Sequence, residues 1–505
     1  METIFHNLLL GLGVAIQPIN IMWVTLGGVL GTIIGMLPGI GPASGVALLL
    51  PLTFTMGPVG ALITMAGVYY GAMFGGSRAS ILINTPGDGA SIASCWDGYP
   101  LATTLKRPEA ALAISAIASF IGGMIATVFM IFLAQPLARF AIKFGPAQYL
   151  MLYFFALSAT ASMSGQGKVL KGFLSMCIGL MAATVGIDAL SGVQRYTFGL
   201  MNLQGGIDFL ITIIGIYALG EVFESLGDIG KGKTKVQTKF GRIWITMKDW
   251  KRSWPAILRS TPLGFLIGVL PGTGATMAAI MAYNQEKNIS KHKDEFGKGA
   301  IEGLAAPEAA NNAASVGALI PMMTLGIPGS GTTAVMLGAL LMLGLQPGPL
   351  LFEKSPEIAW GVIASMIIGN CILAVINIPM AGILVRILAV PERILYPLIL
   401  GLAFIGTYSI SQSTLDFVIL TIFGLLGLFM KRAGIPTSPM VLGAIVGGAI
   451  EEKFRQALMI SNGSYGIFLG DPITIVLALL TAGSILLPIL QRAMKKAKGA
   501  KAAAA

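Results

Sequence analysis

The sequence is unusually poor in charged residues. Only 11% of the 505 residues are Asp, Glu, Lys or Arg, whereas 55% are hydrophobic. Soluble proteins carry about 25% charged residues, so this chain does not have enough charge to cover a water-facing surface. This composition excludes an ordinary soluble protein and predicts a polytopic integral membrane protein.

The few charges are also unevenly distributed. No Asp, Glu, Lys or Arg occurs in residues 3–77, 110–138, 309–352 or 358–385. One membrane-spanning helix needs about 20 mainly apolar residues, so each stretch can hold at least one span. By the same length rule we expect an all-α fold with about 10 to 12 membrane segments.

Signatures of enzymes and of disulfide frameworks are missing as well. The three cysteines form no CxxC pair, and the chain contains no HExxH or GxSxG. Those motifs would indicate redox or metal sites, zinc proteolysis or serine hydrolysis. We therefore expect a protein that is not an enzyme and that needs no cofactor other than a coupling cation.

The net charge of +11 comes largely from two short regions. Eight basic residues and one acid lie between Lys231 and Arg252, and five more basic residues follow residue 491. Loops rich in Lys and Arg stay on the cytoplasmic side, so we place the 228–254 loop and the 491–505 tail there. Because these residues adjoin apolar segments, we expect membrane lipid, not nucleic acid, as their surroundings.

Two motifs occur twice, in the same order. Residues 31–41 (GTIIGMLPGIG) and 264–274 (GFLIGVLPGTG) are identical at seven of eleven positions, and PGDG at 86–89 is matched by PGSG at 328–331. Recurring motifs indicate internal repeats. We infer a duplicated unit, with one transmembrane repeat in residues 1–227 and the other in residues 255–490.

The repeated Pro-Gly pairs predict broken helices. Proline removes a backbone donor, and glycine allows unusual backbone angles. In transporters, broken helices at corresponding positions of two repeats point to the substrate site. The segment 255–283 is too short for two spans, so we predict a re-entrant hairpin with its tip at 271–274. A single kinked span is the alternative. The repeats are expected to be inverted.

Residues beside the breaks are the candidate substrate contacts. Helices that start after a glycine-rich break present free N–H groups that suit a carboxylate. Arg78 could donate two hydrogen bonds to a carboxylate, or it could lie at the membrane interface or pair with Asp88. The candidates are Pro38, Gly39, Gly41, Gly76, Ser77, Arg78, Asn84, Pro86, Gly87, Gly272, Thr273, Gly274, Asn311, Gly329 and Thr332.

A second group of polar residues suggests a cation site. Glu308, Asn311 and Asn312 lie within about one helical turn and share a face. Hard oxygen ligands suit Na⁺, so Glu308, Asn312 and Thr333 form the candidate Na⁺ site. Alternatively, Glu308 pairs with a basic residue and the asparagines join helices.

Three smaller features carry structural predictions. The GxxxG pairs at 31–35 and 264–268 predict close helix packing. Asp97 begins Asp-Gly-Tyr-Pro, which predicts a turn. Asp188 and Arg195 flank a polar interruption and could form a structural ion pair.

Together, these motifs resemble the large, TctA-like membrane subunit of the tripartite tricarboxylate transporters. The resemblance covers nearly the whole chain and is carried by segments 37–42, 69–89, 97–100, 195–199, 307–312, 325–330, 435–443 and 451–458. It implies a secondary transporter of the bacterial inner membrane that imports tricarboxylates or other organic carboxylates by symport with Na⁺ or H⁺.

The resemblance also implies two protein partners. These are a small transmembrane subunit (TctB-like) and a periplasmic solute-binding protein (TctC-like). The alternatives are a passive channel or pore for small anions and a membrane enzyme or scaffold. Accumulation coupled to an ion gradient would separate the transporter from the pore, and the missing catalytic motifs disfavour the enzyme.

Overall fold

The computed structural model describes residues 2–37, 40–53, 55–162, 169–188, 191–226, 241, 243–272, 274–380 and 392–486. About 80% of the structure is helical and almost none of it is sheet, which confirms the predicted all-α membrane class. Four described helices are long and apolar enough to cross a membrane: Pro18–Met36, Gly57–Ile83, Pro108–Ala141 and Pro356–Asn377. Pro38, Gly39, Thr273, most of the 228–254 loop and the whole 491–505 tail lie outside the described residues.

Helices of the first half follow one another with short connections. They are α1 (Glu2–Ala15), α2 (Pro18–Met36), α3 (Pro42–Thr53), α4 (Gly57–Ile83), α5 (Ile92–Thr103), α6 (Pro108–Ala141), α7 (Pro146–Ser162), α8 (Val169–Ala183), α9 (Phe209–Ile213) and α10 (Gly220–Leu226). A 3-10 turn (Gly89–Ser91) precedes α5, and a π-helical segment (Ile214–Leu219) joins α9 to α10.

The second half is built in the same way. Its helices are α11 (Met247–Val269), α12 (Gly274–Ile289), α13 (Ile301–Leu325), α14 (Gly331–Met342), α15 (Pro349–Lys354), α16 (Pro356–Asn377), α17 (Glu392–Ser411), α18 (Leu415–Arg432), α19 (Ser438–Ile460) and α20 (Pro472–Leu486). The short strands β1 (Gly186–Ile187) and β2 (Gln194–Arg195) pair antiparallel, with Gly186 opposite Arg195.

Two long helices, α4 and α13, lie at the centre of the molecule. Every residue from 60 to 82 in α4 and from 301 to 324 in α13 is buried. Both helices are rich in small and apolar residues on all faces, as expected for helices that other helices surround. Both end at a residue with left-handed backbone angles, Asn84 (φ 53°) and Gly326 (φ 69°), which is a common way to stop a helix.

Glycines let a neighbouring helix approach each central helix closely. A Cβ atom on Gly31 would lie 2.2 Å from a carbonyl oxygen of the facing helix, and one on Gly264 would lie 2.3 Å away. The prediction that the two GxxxG pairs are packing faces is therefore confirmed. The contacts join Gly31 to Val68, Gly35 to Ala72, Gly264 to Ala310 and Gly268 to Ala314.

The predicted ion pair between Asp188 and Arg195 is present. Arg195 Nη1 lies 3.7 Å from Asp188 Oδ2 and 2.9 Å from Glu451 Oε1. Arg455 of α19 completes the group, because its Nη2 lies 2.7 Å from Asp188. These four side chains tie the β1–β2 hairpin to α19.

Candidate functional site

The chain interrupts its helices at four places, each near a repeated motif. The first break lies between α2 and α3, the second between α4 and the turn before α5, the third between α11 and α12, and the fourth between α13 and α14. The predicted interruptions at 86–89, 271–274 and 328–331 are thus confirmed. Because α11 and α12 pack on each other, the third break joins two adjacent helices. Whether it re-enters the membrane stays a prediction.

The second and fourth breaks have the same local structure. Asp88 has φ −150° and ψ 179°, and its side chain accepts a hydrogen bond from the backbone N–H of Ser91. Ser330 has φ −151° and ψ 169°, and its side chain accepts from the N–H of Thr333. In both places the third residue bonds back to complete a capping box. Both breaks therefore begin the following helix with the same capping box.

Glycines at these breaks are required by close backbone contacts. A Cβ on Gly87 would lie 2.1 Å from the carbonyl oxygen of Gly35 and 2.7 Å from the Cα of Gly76. At the equivalent place in the second half, a Cβ on Gly329 would lie 2.7 Å from the Cα of Ala318. Gly76, Gly87 and Gly329 thus set how closely each break lies against its own central helix.

The four breaks lie against one another, both within one half and between the halves. Within the second half, the N–H of Gly272 in the third break donates to the carbonyl oxygen of Gly329 in the fourth, at 3.1 Å. The hydroxyl of Tyr69 lies 3.2 Å from the hydroxyl of Ser330. In addition, α3 packs against α14, and α12 packs against the 3-10 turn before α5. Each half therefore places its breaks against those of the other half.

A cavity of about 730 Å³ lies where the four breaks converge. The starts of α3, α12 and α14 and the turn before α5 all reach it, so several helix N-termini border one space. Six of the predicted substrate residues are in its lining: Gly41, Pro86, Gly87, Gly272, Gly274 and Thr332.

Several lining residues carry hydroxyl groups that the sequence reasoning did not select. They include Tyr69, Tyr217, Thr276, Ser330 and Ser438. Ser330 belongs to the repeated PGSG motif and could have been chosen on that ground. Tyr217 comes from the π-helical segment, which no sequence motif marks, so it could not be selected from the sequence.

Four charged side chains also line the cavity. Lys431 Nζ contacts a carboxylate oxygen of Glu221 and lies 3.0 Å from Glu224 Oε2. The fourth charged side chain of the lining is that of Asp88. Among the described residues, no Lys or Arg lies within ion-pair distance of Asp88. The described lining therefore has three acidic side chains and one basic side chain.

Arg78 lies outside the cavity lining. It is fully buried in α4, and its Nη2 donates to the carbonyl oxygen of Asn377, the last residue of α16, at 2.8 Å. Nη1 donates to the carbonyl oxygen of Phe74. A basic group at the end of a helix satisfies its free carbonyls and interacts favourably with its dipole. The structure thus places Arg78 as a cap on α16, and it does not pair with Asp88.

Glu308 is the centre of a separate, fully buried polar cluster. Its carboxylate accepts hydrogen bonds from Ser77 Oγ of α4 at 2.7 Å, from Ser119 Oγ of α6 at 3.1 Å, and from Ser94 Oγ of α5. All four side chains are buried. Among the described residues no Lys or Arg lies within ion-pair distance of Glu308, although the buried Arg78 guanidinium is near enough to interact with its charge.

The two asparagines lie next to this carboxylate on α13. Asn312 Nδ2 donates to the carbonyl oxygen of Glu308 at 3.2 Å and to Asn311 Oδ1 at 2.7 Å. Asn312 Oδ1 is buried without a hydrogen-bond partner. An oxygen atom without a donor therefore belongs to the residue one turn after Glu308. Thr333 is elsewhere, because its hydroxyl bonds to Ser330 at the fourth break.

The turn predicted at Asp97 is wrong. Asp97 lies within α5, and its Oδ1 accepts three backbone N–H groups, from Gly297 and Gly299 at 2.8 Å and from Ala300 at 2.9 Å. These donors precede α13, so the carboxylate anchors the start of that helix. Ser94, which donates to Glu308, lies one turn earlier on α5. Helix α5 therefore contacts both the start of α13 and Glu308 within α13.

Comparison with known proteins identifies a matching family model. The family model described as "Tripartite tricarboxylate transporter TctA family" matches residues 21–442. An Agrobacterium vitis protein described as "Uncharacterized 52.8 kDa protein in TAR-I ttuC' 3'region" is 42% identical over 473 residues, which is 94% of each chain.

A second Agrobacterium vitis protein is similar to a shorter part of the chain. It is described as "Uncharacterized protein in TAR-II ttuC' 3'region" and is 44% identical over 210 residues, which is 42% of this chain and 87% of that protein. No solved structure matches the chain.

Proposed function

Since the chain belongs to the TctA family of tripartite tricarboxylate transporters, we propose that it imports tricarboxylates or other organic carboxylates together with Na⁺ or H⁺. It is the large membrane subunit of such a system. The family membership is shown by the comparison, whereas the substrate class, the direction of transport and the coupling cation are what we propose.

The observation that carries this proposal is the meeting of four helix breaks at one cavity. Broken helices at matching positions of two repeats suit a site that opens alternately to either side. The volume of about 730 Å³ lies within the usual range for small-molecule sites. Helix N-termini with free N–H groups favour an anion. Because Gly272 and Gly329 are hydrogen-bonded, a movement of the third break would also displace the fourth.

The cluster around Glu308 supports coupling to a cation. A carboxylate, three serine hydroxyls and the unpartnered Oδ1 of Asn312 are oxygen atoms that Na⁺ accepts as ligands. The same carboxylate could take up a proton instead. Ionisable groups buried within membrane helices commonly mark ion or proton pathways, so we propose Glu308 as a coupling group.

Membership of the family supports two further parts of the proposal. We propose that the chain works with a small TctB-like membrane subunit and receives substrate from a periplasmic TctC-like binding protein. We also propose the bacterial inner membrane as its location, because a periplasmic binding protein delivers substrate to that membrane.

The test is uptake of labelled organic acids into proteoliposomes that contain the chain and its small subunit, with the binding protein outside. We expect accumulation above the external concentration under an inward Na⁺ or H⁺ gradient, and none without a gradient. Equilibration without accumulation would instead indicate a pore. No uptake of any acid would contradict the proposed substrate class.

A further inference from the structure

The two repeats differ in charge at one position of the cavity. Asp88 and Ser330 occupy equivalent places in the second and fourth breaks, and both cap the helix that follows. Serine and aspartate are about equally good at this task, and Ser330 performs it without a charge. Capping therefore accounts for a polar side chain at position 88 but not for a carboxylate.

The surroundings of Asp88 do not neutralise it. The lining's Lys431 already contacts Glu221 and lies 3.0 Å from Glu224, and among the described residues Asp88 has no ion-pair partner. One of its oxygens, Oδ1, is used by the N–H of Ser91 at 3.1 Å. A carboxylate thus borders a space that the proposed function assigns to an anion.

Two negative charges in one cavity oppose each other strongly. At a separation of 4 Å near a protein surface, the repulsion corresponds to about a 1,000-fold loss of affinity. The free N–H groups of the helix starts offset part of this. A cation at Asp88 would remove the repulsion and provide a positive charge for the substrate.

Other oxygen atoms suited to a cation line the same cavity as Asp88. The hydroxyls of Tyr69 and Ser330 lie 3.2 Å apart and both belong to residues of the cavity lining. Thr276 contacts the neighbouring Gly89, because a Cβ placed there would be 2.6 Å from its Oγ1. Neutral oxygens and one carboxylate are a donor set that Na⁺ accepts, while H⁺ needs only the carboxylate.

We infer that Asp88 binds the cation, Na⁺ or H⁺, that allows a carboxylate substrate to occupy the cavity. This inference rests on the proposed function and adds to it a cation site in contact with the substrate, distinct from the cluster around Glu308. Coupling at this site follows from direct charge neutralisation: the empty cavity repels the anion, and the cation and anion bind together.

The test measures binding of citrate, as a tricarboxylate probe, to the full chain in lipid nanodiscs. One arm varies Na⁺ at fixed pH, and the other varies pH without Na⁺. We expect the affinity of the wild-type chain for citrate to rise at least about tenfold with one of the two cations, and that arm identifies the cation. In Asp88→Ser, citrate should bind without the cation, and the dependence should be lost.

Controls keep the outcome specific. Asp88→Asn is a second variant that also preserves the cap, and Glu357→Gln removes an exposed acid at the start of α16. If Asp88→Ser and Asp88→Asn keep the cation dependence of the wild type, the inference is overturned while the proposed function stands. Cation-independent binding to the wild-type chain also overturns it. If the wild-type chain binds neither citrate nor any other organic acid in either arm, the substrate class itself fails.

Discussion

The hydroxyl of Ser77 lies 2.7 Å from a carboxylate oxygen of Glu308, and this contact joins the central helix of one half to the central helix of the other. Ser119 of α6 lies 3.1 Å from the same oxygen. The carboxylate is therefore held between helices from both halves. A change in its charge or ligands would alter how these helices pack, which makes it a suitable place for cation coupling.

Replacing Glu308 by glutamine tests this role. Glutamine keeps the volume and one acceptor oxygen, but it can neither take up a proton nor provide a negative charge for Na⁺. We expect the stimulation of carboxylate uptake by the cation gradient to fall by about tenfold, a loss of about 1.4 kcal/mol of coupling. Uptake measured against cation concentration checks this, with Glu357→Gln as the control. An unchanged cation dependence would remove Glu308 from the coupling scheme.

Gly87→Ala tests the close packing at the second break. The added Cβ would lie 2.1 Å from the carbonyl oxygen of Gly35, so α2 and the break must separate. Overpacking of this kind costs about 1–3 kcal/mol, and we expect a lower thermal unfolding midpoint and reduced uptake. The control is Gly13→Ala on α1, where a Cβ meets nothing within 4 Å. Equal midpoints for the two variants would contradict the packing described here.

Arg78→Ala separates a structural role from substrate binding. The change removes the side-chain donor to the terminal carbonyl oxygen of Asn377 and an additional donor to that of Phe74, and hydrogen bonds to a charged group contribute about 1.5–3 kcal/mol each. We expect a lower unfolding midpoint, with unchanged affinity for carboxylates in the protein that remains folded. Arg139→Ala, on the exposed end of α6, is the control. Weaker substrate binding at an unchanged midpoint would instead make Arg78 a ligand.

Asp97→Asn tests the anchor of α13. Asparagine can still accept hydrogen bonds from the 297–300 segment, but it loses the charge that strengthens them. We expect a destabilisation of about 1–2 kcal/mol, seen as a lower unfolding midpoint, whereas the exposed Asp294→Asn should change little. Destabilisation by both substitutions to the same extent would show that the three backbone contacts of Asp97 are not responsible.

Repetition in the sequence made much of the architecture predictable. Pro-Gly pairs and GxxxG pairs have local physical consequences, so the breaks near 86–89 and 271–274 and the close contacts of Gly31 and Gly264 could be located without a structure. Six of the predicted substrate residues line the cavity for the same reason, since they belong to the breaks themselves.

Features that depend on distant partners could not be predicted. The backbone donors of the 297–300 segment keep Asp97 inside a helix, although Asp-Gly-Tyr-Pro locally favours a turn. Arg78 could not be assigned because its acceptor is the end of α16, about 300 residues away in sequence. Tyr217 and Lys431 reach the cavity from helices that carry no repeated motif.

The most direct test of the central claim is whether a carboxylate protects the cavity from chemical labelling. Thr276→Cys is made in a chain with Cys95, Cys177 and Cys371 replaced by serine, and its reaction with a thiol reagent is timed with and without a transported acid. Thr104→Cys, an exposed site outside the cavity lining, is the control. We predict slower labelling at position 276 alone when the acid and its cation are present. Labelling at position 276 that the acid does not change would contradict the claim that this cavity holds the substrate.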